Sequence, residues 1–206
     1  MSQILRVGLT GGIGAGKSSV ATLLDGPGFL IIDADRLGHT VLRDDEEVRA
    51  ELVGALGEEI LDSAGRIERA RLGALVFAEP RARERLEQVL HPRIRATEED
   101  RVASWGVTEG VAVTEAALLV ETGGHERYDR LVVVTASPET RISRLAGRGL
   151  TTEDARRRMA AQLPDEDKIA VADHVVDNDG DVHAMEERVA ELRAALWAEA
   201  EQLVRD

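Results

Sequence analysis

The chain has 206 residues, no cysteine and a formal net charge of −13. That length suits one domain carrying insertions, large enough to bury a core without staples. The missing cysteines exclude disulfide scaffolds, thiolate zinc sites and cysteine nucleophiles. The acidic balance argues against a nucleic-acid or membrane-surface partner. Aromatic content of 2% removes the base-stacking platforms of single-strand binders. No stretch approaches the ~20 apolar residues of a membrane span, and Met1 to Leu9 is too short for a secretory leader. The expectation is a soluble, cytoplasmic protein, and the sequence sets no oligomeric state. Among the basic residues only Lys17 and Lys168 are lysine. In so Arg-biased a chain, a retained lysine marks a place arginine does not fill.

In chain order, Leu5 to Leu9 is a short apolar run ending in glycines, and Ser18 to Leu24 begins a helix. Phe29 to Ile32 is a second apolar run, stopped by Asp33-Ala34-Asp35. Residues 36–105 are charged, Leu/Val-periodic and helical by pattern, with Pro80 near a helix start and His91-Pro92 predicting a break. Phe77, Trp105 and Trp197 are expected in the core. Val111 to Val113 and Leu131 to Val134 are further strands. Arg141 to Gln162 is an Arg-rich helical stretch. Val175-Val176 is a last strand, and Met185 to Val204 a terminal amphipathic helix. Alternating strands and helices predict an α/β fold with a mostly parallel sheet. The expected division is a core of 1–35, 106–140 and 168–206, a helical region 36–105 and a lid 141–167.

Residues 8–19 read GLTGGIGAGKSS. Gly11-x-x-x-x-Gly16-Lys17-Ser18 fits the P-loop pattern between an apolar strand and a helix. Glycines let successive backbone N–H groups converge on phosphate oxygens, and the helix start adds its positive dipole end. The candidate nucleotide-binding residues are Gly11, Gly12, Ile13, Gly14, Ala15, Gly16, Lys17, Ser18 and Ser19. Lys17 supplies charge to the β/γ-phosphates, and the Ser18 hydroxyl is a Mg²⁺ ligand. The motif predicts a nucleoside-triphosphate user with ATP and Mg²⁺. It leaves kinase, ATPase, GTPase and motor open, although no N-K-x-D base-recognition motif supports a GTPase.

Ligands of parallel sheets sit at the carboxyl ends of strands. Asp33 falls there, suited to general-base or Mg²⁺-water work and equally to capping a helix; Asp35 is the better cap. Glu115 follows Val111-Ala112-Val113-Thr114 and can hold Mg²⁺ through water, or be an ordinary strand-end charge. Arg141, Arg144, Arg148, Arg156, Arg157 and Arg158 crowd one segment, read either as a lid over a triphosphate or as a solvated helix. Lys168 reaches the nucleotide or caps a helix. His91 orders a turn between helices or contacts substrate, and Arg69 binds a phosphate or pairs with Glu68.

Together these residues resemble the dephospho-CoA kinase family, from about Gly8 to Gly180. The carriers are GLTGGIGAGKS, the IDAD of Ile32 to Asp35, Gly65-x-Ile67-x-Arg69-x-x-Leu72, Val76-Phe77, Leu90-His91-Pro92-x-Ile94, Leu118-Leu119-x-Glu121, Arg144-x-x-x-Arg148, Gln162 and Ala172-Asp173 with Asn178-x-Gly180. Ala117, Glu68 and Ala15 depart from the family's commoner proline, aspartate and serine. The resemblance implies a P-loop core, a helical CoA-binding region and an Arg-rich lid. It implies transfer of the ATP γ-phosphate to the ribose 3′-hydroxyl of dephospho-CoA. By it, Asp33, Lys17 and Arg148 are catalytic, and Arg144 and Asn178 join the nucleotide site; Asn178 and Gly180 are expected to shape the loop near the adenine, where backbone contacts matter more than side chains. Asp35, Arg69, His91 and Leu118 bind the acceptor. The competing readings are another small-molecule P-loop kinase and a regulatory ATPase without an acceptor.

Overall fold

The structure, a computed structural model, describes residues 3–203. Strands β1 (Gln3–Gly11), β2 (Phe29–Asp33), β3 (Glu109–Glu115), β4 (Arg130–Thr135) and β5 (His174–Asp177) form one sheet. Their order is β2-β3-β1-β4-β5, with each neighbouring pair parallel. From β1 the chain first builds one side of the sheet and then the other. The carboxyl end of β1 is therefore the switch point where such sheets open a crevice.

The helices are α1 (Lys17–Leu24), α2 (Ala34–Asp44), α3 (Glu46–Leu56), α4 (Arg69–Ala78), α5 (Pro80–Ser104), α6 (Pro138–Ala146), α7 (Thr152–Ala160), α8 (Asp165–Ile169) and α9 (Val182–Leu203). The chain divides between Asp33 and Ala34, and between Ser104 and Trp105, into two compact units. Residues 141–167 belong to the sheet-bearing unit.

In that unit the apolar runs alternate sides, as strands must. Val132 and Val134 join Leu5, Val7 and Leu9 against Val20 and Leu24 of α1 and Leu192 and Leu196 of α9. Leu131 and Val133 face the other way, onto Leu119. Trp197 is half-buried, its ring centroid 6.2 Å from that of Phe29. Trp105 is half-buried too, over Gly110.

Several boundaries differ from expectation. Helix α9 starts earlier than Met185, because Asp181 accepts the Ala184 N–H at 2.9 Å and so caps the helix. Its expected end, Val204, lies outside the described residues. The stretch from Arg141 to Gln162 is two helices. Ser137 caps α6, and Thr151 starts α7 by accepting the Asp154 N–H at 3.1 Å.

The helical unit packs α2, α3 and α4 along α5 around Val48, Leu52, Ile60, Leu72 and Leu90. The break expected at His91-Pro92 does not occur: α5 runs through Pro92. An interior proline costs about 3 kcal/mol. Leu86, Val89 and Leu90 before it and Ile94 after it all pack into the one cluster. Burying such side chains returns about 1.5–3 kcal/mol each, so continuity wins. His91 is thus mid-helix and orders no turn. Phe77 is not core but 94% exposed. Leu72, Leu75 and Val76 form the inward stripe of α4. Phe77 follows Leu72 by five positions, which is about 140° further round the helix.

Candidate active site

The site is built where β1, β2 and β3 end. β1 runs through Gly11 into the glycine loop, and α1 begins at Lys17. Gly16 caps α1 in a left-handed conformation, φ +99°, and a Cβ there would lie 2.1 Å from Asn178 Nδ2. Only glycine meets both conditions.

The loop carbonyls are held from outside. Asn178, a buried side chain after β5, donates to Ala15 O at 2.7 Å. Arg144 on α6 donates to Ala15 O at 3.2 Å, Gly14 O at 3.5 Å and Asn178 O at 2.8 Å. Arg141, one turn earlier, donates from Nε to Ile13 O at 2.8 Å. Across a trans peptide the N–H points opposite to the carbonyl. Outward carbonyls at Ile13 and Ala15 therefore turn the N–H groups of Gly14 and Gly16 inward. Those two amides make no hydrogen bond among the described residues. Two inward amides beside a helix N-terminus form an anion cradle. The Ala15 N–H instead closes a turn onto Gly12 O at 3.1 Å. The Ile13 N–H donates to Gln162 Oε1 at 2.7 Å. Those two amides, expected on phosphate, are engaged elsewhere. Lys17 Nζ donates to Gly11 O at 3.0 Å. Ser19 is exposed on the first turn of α1.

The acidic residues stand beside this cradle. Glu115 ends β3, and its Oε1 accepts the Ser18 hydroxyl at 2.8 Å. Asp33 ends β2 in direct register with Glu115, and adjacent strands lie about 4.8 Å apart. A hydroxyl and carboxylates are hard oxygen donors, the set that suits Mg²⁺. No cluster of three or more acidic or histidine ligands occurs among the described residues.

Other expected residues are placed differently. Arg148 lies in the turn after α6, exposed, with no side-chain partner among the described residues. Leu118 is 37% exposed, while Leu119 is buried. Asp35 does not cap α2 but sits inside its first turn, where a negative charge favours the helix dipole. Arg69, at the start of α4, places Nη2 2.6 Å from His39 Nε2. The guanidinium has only donors, so His39 accepts through Nε2. Arg71, not Arg69, pairs with Glu68. His91 offers its backbone carbonyl to Arg95. Lys168 is spoken for inside the fold. It is fully buried, donates to Leu163 O at 2.9 Å and faces Glu121 Oε1 at 2.9 Å. The geometry of that ion pair is not that of a hydrogen bond, and both Glu121 oxygens lack one.

Sequence reasoning assigned no role to Gln162, and it treated Arg141 only as one of a charged cluster. Gln162 carries the family resemblance, but no local pattern shows what either residue holds, because each acts on a loop more than 120 residues away. Asp179 also escaped notice. Its carboxyl holds Ser137 N at 2.8 Å and Ser137 Oγ at 3.0 Å. Hydrogen bonding from Thr140 foremost, then from Ser137, with help from Arg144, holds its pKa below the usual aspartate range against the opposing effect of burial.

The sequence model of dephospho-CoA kinases matches residues 5–184. A Streptomyces avermitilis dephospho-CoA kinase is 42% identical over 200 residues, covering 97% of each chain. One from Corynebacterium glutamicum is 44% identical over 187 residues, covering 88% of this chain and 93% of that one. A solved Thermus thermophilus protein superposes with TM-score 0.83 at 32% identity, over 94% of this chain and 97% of that one. A Bacteroides thetaiotaomicron shikimate kinase shares the fold, with TM-score 0.51 at 19% identity over 93% of this chain and 98% of that one. The chain belongs to the dephospho-CoA kinase family: it is a P-loop kinase of coenzyme A biosynthesis, with ATP as a substrate.

Proposed function

We propose that this chain moves the γ-phosphoryl group of ATP to the ribose 3′-hydroxyl of dephospho-CoA, with Mg²⁺, through the residues described above. The observation that carries this reading is the alignment of Asp33 with Glu115 at adjacent strand ends, where Glu115 already holds the Ser18 hydroxyl. The inward amides of Gly14 and Gly16 and the Lys17 ammonium bind the β/γ-phosphates. Ser18 and Glu115 are the residues to hold Mg²⁺, Glu115 through water. When bound, the ion screens phosphate charge and orients the oxygens.

Asp33 is the general base that accepts the acceptor's hydroxyl proton. Arg148, solvent-facing in the turn between α6 and α7, is the cation for the transferring phosphoryl group, which carries its charge on three peripheral oxygens. Residues 141–167 serve as the lid. Arg144 and Asn178 serve the nucleotide by shaping the loop. The helical unit, Ala34–Ser104, binds the acceptor, with Arg69 for a phosphate and Asp35 and His91 as further contacts. Leu118 offers exposed apolar surface to the same molecule.

The test is ADP release with Mg-ATP, with and without dephospho-CoA, against adenosine, cytidine and AMP. Stimulation by dephospho-CoA alone is expected. Stimulation by a control acceptor would replace the substrate assignment, and slow turnover indifferent to any acceptor would leave only an ATPase.

A further inference from the structure

Ile13 is held by both of its backbone polar groups, and both partners come from outside the glycine loop. Its N–H donates to Gln162 Oε1 at 2.7 Å, and its carbonyl accepts from Arg141 Nε at 2.8 Å. The two groups belong to successive peptide planes, so the grip sets two rotations in sequence. Turning the Ile13 N–H toward Gln162 sends Gly12 O the opposite way, where it accepts the Ala15 N–H. Turning Ile13 O toward Arg141 aims the Gly14 N–H into the cradle.

We propose that Gln162 and Arg141 are positioning residues for nucleotide phosphate: together they impose the open, amide-inward form of the loop. This rests on phosphate binding at the glycine loop.

The supports are rigid. Arg141 is 6% exposed, and its Nη1 is tied to Asp165 Oδ2 at 3.0 Å. Its guanidinium lies against the loop so closely that a Cβ on Gly12 would sit 2.3 Å from Nη2. One planar fork serves Ile13 O and Asp165 at once, which an ammonium cannot copy. Gln162 lies in the short link between α7 and α8, and Asp165 is the first residue of α8. Lys168 anchors that link through Leu163 O and the buried Glu121. Without the grip, Ile13 O loses the Arg141 guanidinium, and the Gly12–Ile13 peptide is left with only the Ala15 N–H on Gly12 O to set its sense. An inverted peptide would put a carbonyl where phosphate must sit.

The role differs from simple stabilisation in what it predicts. Gln162 is only half-buried, and its loss removes one hydrogen bond at the surface of the unit. The test uses the full chain, with Gln162→Leu, the shorter Gln162→Asn that withdraws the acceptor but keeps the amide, and Arg141→Lys. ADP affinity is read by calorimetry, KM and kcat by ADP release, and folding by melting temperature. For either Gln162 variant the expectation is ADP binding weakened about tenfold, an equal rise in KM for ATP, kcat unchanged at saturation and an unchanged melting temperature. Arg141→Lys weakens ADP binding at least as much. Unaltered ADP affinity in folded Gln162→Leu and Gln162→Asn overturns the proposal. So does loss of affinity only in proportion to loss of melting temperature. If the unaltered chain itself failed to bind ADP, the phosphate site would be the reading that fell, and the proposal with it.

Discussion

Ser18, the second residue of α1, donates its hydroxyl to Glu115 Oε1 at the end of β3, 2.8 Å away across 97 positions of sequence. The contact joins the glycine loop to the acidic ends of two strands, because Glu115 is also the register partner of Asp33. Glu115→Gln keeps an acceptor for the hydroxyl and removes the charge. The Mg²⁺ concentration for half-maximal rate should rise tenfold or more, about the usual effect of losing an outer-shell metal partner. Titrating Mg²⁺ at fixed ATP checks this, and an unchanged midpoint would remove Glu115 from the metal site.

Asp33→Asn keeps the size and shape of the side chain that ends β2 and removes its charge. ADP binding should therefore persist while kcat falls by roughly 10²–10⁴-fold, the range of general-base contributions. Single-turnover kinetics beside calorimetry separates the two. A near-normal kcat would refute the base role.

Arg148 is exposed and without a side-chain partner among the described residues, so removing it should not alter folding. Arg148→Ala is expected to lower kcat, with a small change in KM and an unchanged melting temperature. The opposite pattern, normal kcat and lower stability, would make it an ordinary surface arginine.

Lys168 and Glu121 form a buried pair, their side chains 0% and 16% exposed. Lys168→Met strands a carboxylate that already lacks hydrogen bonds. Urea unfolding should show a loss of about 3–5 kcal/mol, the scale for an uncompensated buried charge. Adding Glu121→Leu should recover much of it. A single variant as stable as the parent would show that the pair contributes nothing.

Asp179 joins the segment after β5 to the start of α6 through Ser137. Its pKa is lowered on folding, with the Thr140 hydrogen bond the largest cause. A lowered carboxyl pKa favours the folded state fully above the unfolded value, about 3.9. That contribution disappears as pH falls through the lowered value. Asp179→Asn should thus reduce stability at neutral pH and flatten its acid dependence below pH ~4. Parallel unfolding curves for both proteins across that window would contradict the assignment.

Much of the sheet was legible because short β-branched runs such as Leu131 to Val134 leave few alternatives, and the glycine loop because its spacing is a backbone requirement. Helix α5 was not, since Pro92 is a local signal and the cluster on either side of it is a tertiary one. Phe77 misled for a related reason: size predicts burial, but its position round α4 points it outward. The sites of Arg141, Gln162 and Lys168 were illegible because their partners lie on other elements.

The sequence alone determined what is local: which runs are strands, where the loop must turn, and which residue types can meet phosphate. The tertiary structure decided which arginines are engaged by the loop's own carbonyls, which amides face inward, and which carboxylate receives the Ser18 hydroxyl. Those outcomes depend on the register of β2 on β3 and on α6 and the link before α8 meeting the loop. Distances between residues far apart in sequence follow from packing, and packing is a property of the whole chain.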